Sequence, residues 1–249
     1  MRSLTLFTGR DVDAIRQVLL DTPYPQLKML CRANRHLKMV CDDETNQLWP
    51  MKLVRDFGEG LERYRLEGET PRKQYHAVHI STNSLYLAPE TTDLSDAVPS
   101  HLALGMYNVC KSCRLDALIV ALALKGKALA NLILWTYQPL VHATFENEVS
   151  SAHRLEFLRY LICATQIYDN TKGKLPFDNV MQQAFTSALD VGDLEMIKLL
   201  VDTESGSLGD EVSVGEDIAA DLSIRDDIPL EDRAKYDAIY TYLRDVIFL

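Results

Sequence analysis

Apolar side chains near the amino terminus recur at the spacing of one helix face. The intervals are three, three and one residues, at Val12, Ile15, Val18 and Leu19. This pattern predicts an amphipathic helix. The DTPYP run at 21–25 is expected to end it, because proline supplies no backbone N–H for a further turn.

Two further short helices are predicted before residue 58. The second begins with Leu27, Leu30 and Cys31, and its pattern continues at Leu37, Val40 and Cys41. The third has a denser apolar set and ends at a glycine: Leu48, Trp49, Leu53, Val54, Phe57 and Gly58. Its start follows the acidic run DDET at 42–45, and negative charge is favoured at helix amino termini. Residues 1–58 are therefore expected to form a small three-helix bundle, which would gain stability by docking on another surface.

Residues 59–100 form the least regular part of the sequence. The run GEGLERYRLEGETPRKQ is polar and charged, and the run YHAVHISTNSLYLA fits either a helix or an alternating strand. Pro89 and Pro99 bracket a further connecting segment. We expect a partly ordered linker between the bundle and the segments that follow.

One helical pattern recurs beyond residue 100 with a period of about 40 residues. The recurring segments are 112–122, 152–162, 191–201 and 234–244, with anchor residues Leu115, Leu155, Leu194 and Tyr236. A second helix is expected before each of them, at 101–112, 128–140, 177–190 and 216–224. The recurrence predicts about four stacked helical hairpins over residues 101–249, in an all-α fold. An irregular helical domain is the alternative, because amphipathic helices resemble one another.

The charge balance and the apolar runs narrow the range of partners. The chain has 26 Lys and Arg against 36 Asp and Glu, and its net charge of -10 disfavours a nucleic-acid partner bound through phosphate neutralisation. The most apolar window, 115–135, is interrupted by Lys125, Gly126 and Lys127. Each remaining piece is too short to span a bilayer, so we expect two buried helices joined by a tight turn and no membrane partner.

The cysteines and the lack of catalytic motifs narrow the chemistry. The five cysteines are an odd number without a dense framework, which predicts reduced thiols in the cytoplasm or the nucleus. Cys110 and Cys113 form a Cys-x-x-Cys downstream of His76 and His79, so a zinc site is conceivable. The order of these ligands is unlike that of a zinc finger, and Cys113 aligns with Gly192 in a helix-to-helix turn, which favours a buried thiol pair. The sequence contains no phosphate loop, nucleophile elbow or zinc-protease motif, and we expect no enzymatic activity, metal or cofactor.

Two segments resemble known families. Residues 12–57 resemble an F-box: after an amphipathic helix come a Leu-x-x-Leu-Cys-x-x-Asn pattern and a Leu-Trp pair, at Leu27, Leu30, Cys31, Asn34, Leu48 and Trp49. The run ALDVGDLEMIKLLV at 188–201 is similar to the turn and second helix of an ankyrin repeat. An F-box-like head followed by divergent ankyrin-like repeats is typical of proteins encoded by large DNA viruses.

The F-box resemblance implies a non-enzymatic adaptor. An F-box binds a Skp-type adaptor protein that links it to a cullin–RING ubiquitin ligase, and the repeats would recruit an unknown target protein. Such a protein would act in the cytoplasm, that of the host if the protein is viral, or in the nucleus. The side chains expected at the contact with the Skp-type adaptor are Ile15, Val18, Leu19, Leu27, Leu30 and Trp49.

A structural protein is the alternative. An F-box usually opens with Leu-Pro, whereas the corresponding position here is near Arg10 and Asp11. In this alternative the amino-terminal bundle and the repeats serve only protein–protein packing, for example in a virion.

Overall fold

The protein is built from helices. A computed structural model describes residues 9–33, 35–43, 47–87, 100–168 and 177–247. This part of the chain is mostly α-helical and contains no β-strand, so the predicted all-α class is confirmed. The chain forms two compact units, an amino-terminal unit of Met1–Ile80 and a carboxy-terminal unit of Ser81–Leu249.

Short helices form the described part of the amino-terminal unit. They are α1 (Gly9–Asp21), α2 (Tyr24–Ala33), α3 (Arg35–Asp42), α4 (Leu48–Phe57) and the beginning of α5 (Pro71–Tyr86), with a 3₁₀ turn at Leu61–Tyr64. The largest buried side chains of this unit include Leu19, Leu27, Leu48, Trp49, Leu53 and Tyr75. All but the last belong to the apolar pattern that predicts the helices, so the pattern marks the core of this unit.

Two helices occupy residues 24–42, where the sequence predicts one. A disulfide joins Cys31 of α2 to Cys41 of α3, and their Cα atoms are 5.9 Å apart. A continuous α-helix would separate residues ten apart by about 15 Å, so the chain has to reverse between these two cysteines. The described part of residues 1–58 therefore contains four helices, α1 to α4, where the sequence predicts three. Asn34, the polar residue of the F-box-like pattern, lies outside the described residues.

The same disulfide corrects the expectation of five reduced thiols. Cys31 and Cys41 are buried as a bonded pair. The free cysteines are Cys110, Cys113 and Cys163, of which the last is exposed. The prediction of reduced thiols is wrong for one pair.

Helix α5 occupies a large part of the predicted linker. Of the two alternatives for the YHAVHISTNSLYLA run, the helix is the one observed. Tyr75 and Val78 of α5 are buried. Helix α5 therefore supplies part of the core of the amino-terminal unit. The amino-terminal unit therefore extends beyond Gly58, where the sequence places its end. Residues 88–99 lie outside the described part of the chain.

Helices of the carboxy-terminal unit pack in pairs along the chain. They are α6 (Ser100–Ser112), α7 (Leu115–Ala143), α8 (Ser151–Tyr168), α9 (Phe177–Val191), α10 (Leu194–Leu208), α11 (Glu211–Ile224) and α12 (Leu230–Ile247), with a 3₁₀ turn at Thr144–Glu146. The pairs are α6 with α7, α7 with α8, α9 with α10 and α11 with α12. Helix α9 also contacts α7 and α11, so the pairs are joined to one another.

Helix α7 contains the most apolar stretch of the chain. The sequence predicts two helices with a tight turn at 125–127, and the helical backbone of α7 is indeed broken at Gly126, where φ is 17° and ψ is -99°. A second break, at Thr136, has φ of -132° and ψ of 26°. The α7 segment Leu115–Leu134, with a mean hydropathy of 1.8, is long and apolar enough to cross a membrane. Half of that segment is buried inside the protein, which is equally typical of a core helix.

Residues that align in the recurring sequence segments lie next to one another in the structure. The ring Nε2 of His153 donates to the backbone oxygen of Cys113 at 2.8 Å, and Arg154 Nη1 donates to Asp193 Oδ2 at 2.7 Å. Cys113 and Gly192, aligned in the sequence, both have left-handed backbone, with φ of 49° and 71°. This shared conformation agrees with the alignment of the two turns, and glycine adopts it without strain.

Candidate functional site

The six residues expected to bind a partner differ in exposure. Three are buried in the amino-terminal unit: Leu19, Leu27 and Trp49. Two are partly buried: Ile15 and Leu30. The side chain of Val18 is 62% exposed. The three buried residues contribute to the core of this unit, and their role in binding a partner stays a prediction.

Helices α1 and α4 carry exposed apolar side chains. Val18 on α1 is 62% exposed, and Met51 and Val54 on α4 are 41% and 37% exposed. Asp21, three residues after Val18, forms an ion pair with Arg55, four residues after Met51. Because residues three and four apart share a helix face, this ion pair joins the two helices near Val18 and Met51. We call Val18, Met51 and Val54 the α1–α4 patch.

The sequence predicts part of the α1–α4 patch. Val18 is one of the six residues expected to bind a partner, and Val54 belongs to the apolar set that predicts the third helix. Met51 belongs to neither set, because helix periodicity identifies the densest apolar face and Met51 lies outside it.

A cleft of about 440 Å³ lies elsewhere in the amino-terminal unit. Its charged and ring-bearing walls come from α2 and from the start of α5: Tyr24, Lys28, Arg32, Arg72, Lys73 and His76. Leu48, Trp49 and Pro50 of α4 add apolar lining. The cleft thus combines positive charge with apolar surface.

A tyrosine–histidine pair joins the two walls of the cleft. The Tyr24 hydroxyl and His76 Nδ1 share a hydrogen bond. Burial raises the pKa of Tyr24, against the opposing effect of nearby Arg72 and Arg32. Burial is also the main cause that lowers the pKa of His76, and the charges of Lys28, Arg72 and Arg32 act in the same direction. Both side chains are therefore favoured in their neutral forms near pH 7.

Arg72 is held in place against the floor of the cleft. Its guanidinium lies 5.4 Å from the centre of the Trp49 ring and forms an ion pair with Asp42. The indole Nε1 of Trp49 in turn donates to the backbone oxygen of Cys41 at 2.7 Å. The tryptophan therefore acts as a fixed platform for the arginine.

Acidification is expected to destabilise the amino-terminal unit through His76 and His79. Burial is the main cause that lowers the pKa of His79, and Asp56 opposes it. A histidine with a lowered folded-state pKa binds fewer protons folded than unfolded. Its stabilising contribution is therefore complete above the unfolded pKa of about 6.5, and it is lost progressively as the pH falls below that value and through the lower folded-state pKa.

The thermal unfolding midpoint measures this effect. We expect the midpoint to fall between about pH 7 and about pH 5, and to fall less in a His76→Gln/His79→Gln double variant. His101→Gln, at an exposed histidine of α6, serves as the control and should keep the wild-type pH profile. Equal pH profiles for the wild type and the double variant would contradict the expectation.

The Cys110 and Cys113 pair lies in the core of the carboxy-terminal unit. Burial raises the pKa of the Cys110 thiol, and it raises the pKa of Cys113 to about 12. Neither thiol is a thiolate at neutral pH, the form that attacks substrates or binds metals. Within the described residues, no group of three or more His, Cys, Asp or Glu side chains is arranged to hold a metal ion.

Comparison with known proteins adds no relative. No family model, curated protein or solved structure matches this chain. The F-box and ankyrin resemblances therefore stay predictions from the quoted motifs. Two features of the amino-terminal unit are candidate binding surfaces, the α1–α4 patch and the cleft.

Proposed function

We propose that this chain is a non-enzymatic adaptor of a cullin–RING ubiquitin ligase. The amino-terminal unit binds a Skp-type adaptor protein, and the carboxy-terminal unit binds a target protein. The observation that carries this proposal is the α1–α4 patch: Val18 of α1 is 62% exposed, and Met51 and Val54 of α4 are 41% and 37% exposed. Exposed apolar side chains grouped on neighbouring helices are typical of protein interfaces.

The part of α1 that a partner can reach includes Val18 and its neighbour Ile15. Ile15 lies one turn before Val18 and is partly buried, so it extends the apolar face beyond the patch. Two of the six residues expected from the F-box resemblance therefore border a surface that a partner helix can reach. Leu19 and Leu27 are buried in the core of the same unit.

Such an adaptor works by proximity. Holding a target lysine near the ubiquitin-charged enzyme raises its effective concentration, and the adaptor itself forms no covalent bond. The requirement on the chain is a stable body that presents two surfaces. In the carboxy-terminal unit, hydrogen bonds between successive turns, such as that of Arg154 with Asp193, help to fix neighbouring helix pairs.

A single charge in the α1–α4 patch should weaken adaptor binding. We expect Val18→Asp to weaken binding of a purified Skp-type adaptor by about tenfold or more, because a carboxylate would be desolvated at the interface. Isothermal titration calorimetry with the full chain measures this change. The control is Val214→Asp, an exposed valine of α11 in the other unit. No binding by the wild type, or equal binding by both variants, would overturn the proposal.

A structural protein is the second candidate. Val214 and Ile218 are 48% and 41% exposed and lie four residues apart on one face of α11. The carboxy-terminal unit thus presents an apolar face of its own, which suits packing between copies. Light scattering after size exclusion tests this candidate: a stable oligomer that Val214→Asp dissociates would support it, and a monomer at about 100 μM would exclude it.

A further inference from the structure

The cleft of the amino-terminal unit is lined by two stripes of charged and aromatic side chains. The α2 stripe consists of Tyr24, Lys28 and Arg32, and the α5 stripe consists of Arg72, Lys73 and His76. Members of the α2 stripe are four residues apart, and His76 is three and four residues after the two α5 cations, so each stripe follows one helix face. The hydrogen bond between Tyr24 and His76 joins the stripes at one end.

Positive charge exceeds negative charge in the cleft. Its lining includes two lysines and two arginines against Asp42 and Asp43, although acidic residues outnumber basic ones in the whole chain, 36 to 26. Asp42 already forms an ion pair with Arg72. In the described part of the chain, no ion pair joins Lys28, Arg32 or Lys73 to a carboxylate. Three cations that no described carboxylate pairs with therefore line the cleft.

The backbone and the apolar lining add to this arrangement. Helix α5 begins at Pro71, and Thr70 and Pro71 both line the cleft, so the positive end of the helix dipole faces it. Trp49 and Pro50 provide apolar surface beside the charges. A volume of about 440 Å³ is within the usual range of ligand pockets and leaves room for the group that carries an anion.

We propose that this cleft binds a phosphate monoester, carried either by a phosphorylated side chain or by a small organic phosphate. The dianion would be held by Lys28, Arg32 and Lys73 through charge-assisted hydrogen bonds. Arg72 is kept in position by the Trp49 ring and supports the phosphate from the floor. The apolar lining accepts the carrier of the phosphate. This inference concerns a different surface from the α1–α4 patch and does not depend on the ligase role.

Titration calorimetry of the full chain tests the proposal. Three probes are used: a phosphoserine peptide, adenosine monophosphate and inorganic sulfate. We expect at least one of the two esters to bind more tightly than sulfate, and to bind more weakly as salt is raised. Binding by the peptide alone identifies a phosphorylated side chain as the ligand, whereas binding by the nucleotide alone identifies a small organic phosphate.

Matched double variants distinguish binding in the cleft from attraction by the overall charge of the unit. Lys28→Gln/Arg32→Gln removes two cations from the cleft, and we expect about a tenfold or greater loss of ester affinity. Arg63→Gln/Arg65→Gln removes the same charge from positions outside the cleft lining and should change the affinity less than about twofold. Circular dichroism checks that both variants keep the wild-type helicity.

Three outcomes would overturn the proposal. The first is no binding by either ester at millimolar concentration. The second is an equal loss of affinity in the two double variants, which would indicate attraction by overall charge. The third is sulfate binding as tight as that of the esters, which would reduce the cleft to a site for an adventitious ion only.

Discussion

Asp193→Ala is expected to lower the free energy of unfolding of the carboxy-terminal unit by about 3–5 kcal/mol. The carboxylate accepts hydrogen bonds from Arg154 Nη1 at 2.7 Å, from Ser151 Oγ at 2.9 Å and from the backbone N–H of Met196 at 2.9 Å. The last of these caps the start of α10. Arg154 is buried, so the alanine variant removes the only acidic partner that the described residues give it and leaves backbone oxygens such as that of Thr144 as its acceptors. The variant also leaves an open helix end.

The measurement follows hydrogen exchange of α8 and α10 during urea unfolding of the full chain. Hydrogen exchange reports the unfolding of each unit separately, whereas one global signal would average the two units. Asp193→Asn is the matched control, because the amide still accepts the hydrogen bond at the helix cap and only the charge is lost. A double variant, Arg154→Met/Asp193→Ala, is expected to recover part of the loss, since no charge remains buried. An Asp193→Ala variant within about 1 kcal/mol of the wild type would show that the buried pair is not needed.

The sequence predicts the carboxy-terminal unit well because its signal is local and recurrent. The anchors Leu115, Leu155 and Leu194 all lie at helix starts or in the first turn or two of a helix, as their spacing indicates. The same alignment placed Cys113 opposite Gly192, and both have left-handed backbone. Periodicity does not reveal which polar residues pair across turns. The contact of Arg154 with Asp193 depends on how one hairpin stacks on the next.

The amino-terminal unit is harder to predict because tertiary contacts determine where its helices begin and end. The break near residue 34 leaves the apolar spacing of α2 and α3 almost continuous, so the pattern alone favours one helix. The YHAVHISTNSLYLA run fits two periods equally well, and burial of Tyr75 in the core makes it helical. Helix α5 then brings its stripe opposite that of α2. The cleft was therefore not predictable from the spacing of Tyr24, Lys28 and Arg32 alone.

The candidate contact residues show the same limit. A periodic pattern identifies Leu19, Leu27 and Trp49 as apolar positions on helix faces, but it does not say whether the chain or a partner covers them. The chain itself covers all three. Val18 differs from Leu19 by one position, about 100° around the helix, which is enough to move it from the core to the surface.

Removing the disulfide is expected to lower the free energy of unfolding of the amino-terminal unit by about 2–3 kcal/mol. Cys31 and Cys41 are ten residues apart, and a bond across a loop of this length restricts the unfolded chain. A Cys31→Ser/Cys41→Ser variant also places two hydroxyl groups in the core, where Cys31 and Cys41 are 2% and 1% exposed. Cys31→Ala/Cys41→Ala is therefore the better variant, because it isolates the loss of the crosslink.

Chemical denaturation in oxidising and reducing buffers measures the contribution of the crosslink. We expect a reductant to destabilise the wild type and to leave Cys31→Ala/Cys41→Ala unchanged, since that variant has no bond to break. Cys163→Ala is the control, because it removes an exposed free thiol and should keep both the stability and the response to reductant. A thiol titration of the denatured, unreduced wild type should find three free thiols. Five free thiols would show that the pair is reduced, and the chain would then fit the reducing compartments that its sequence suggests.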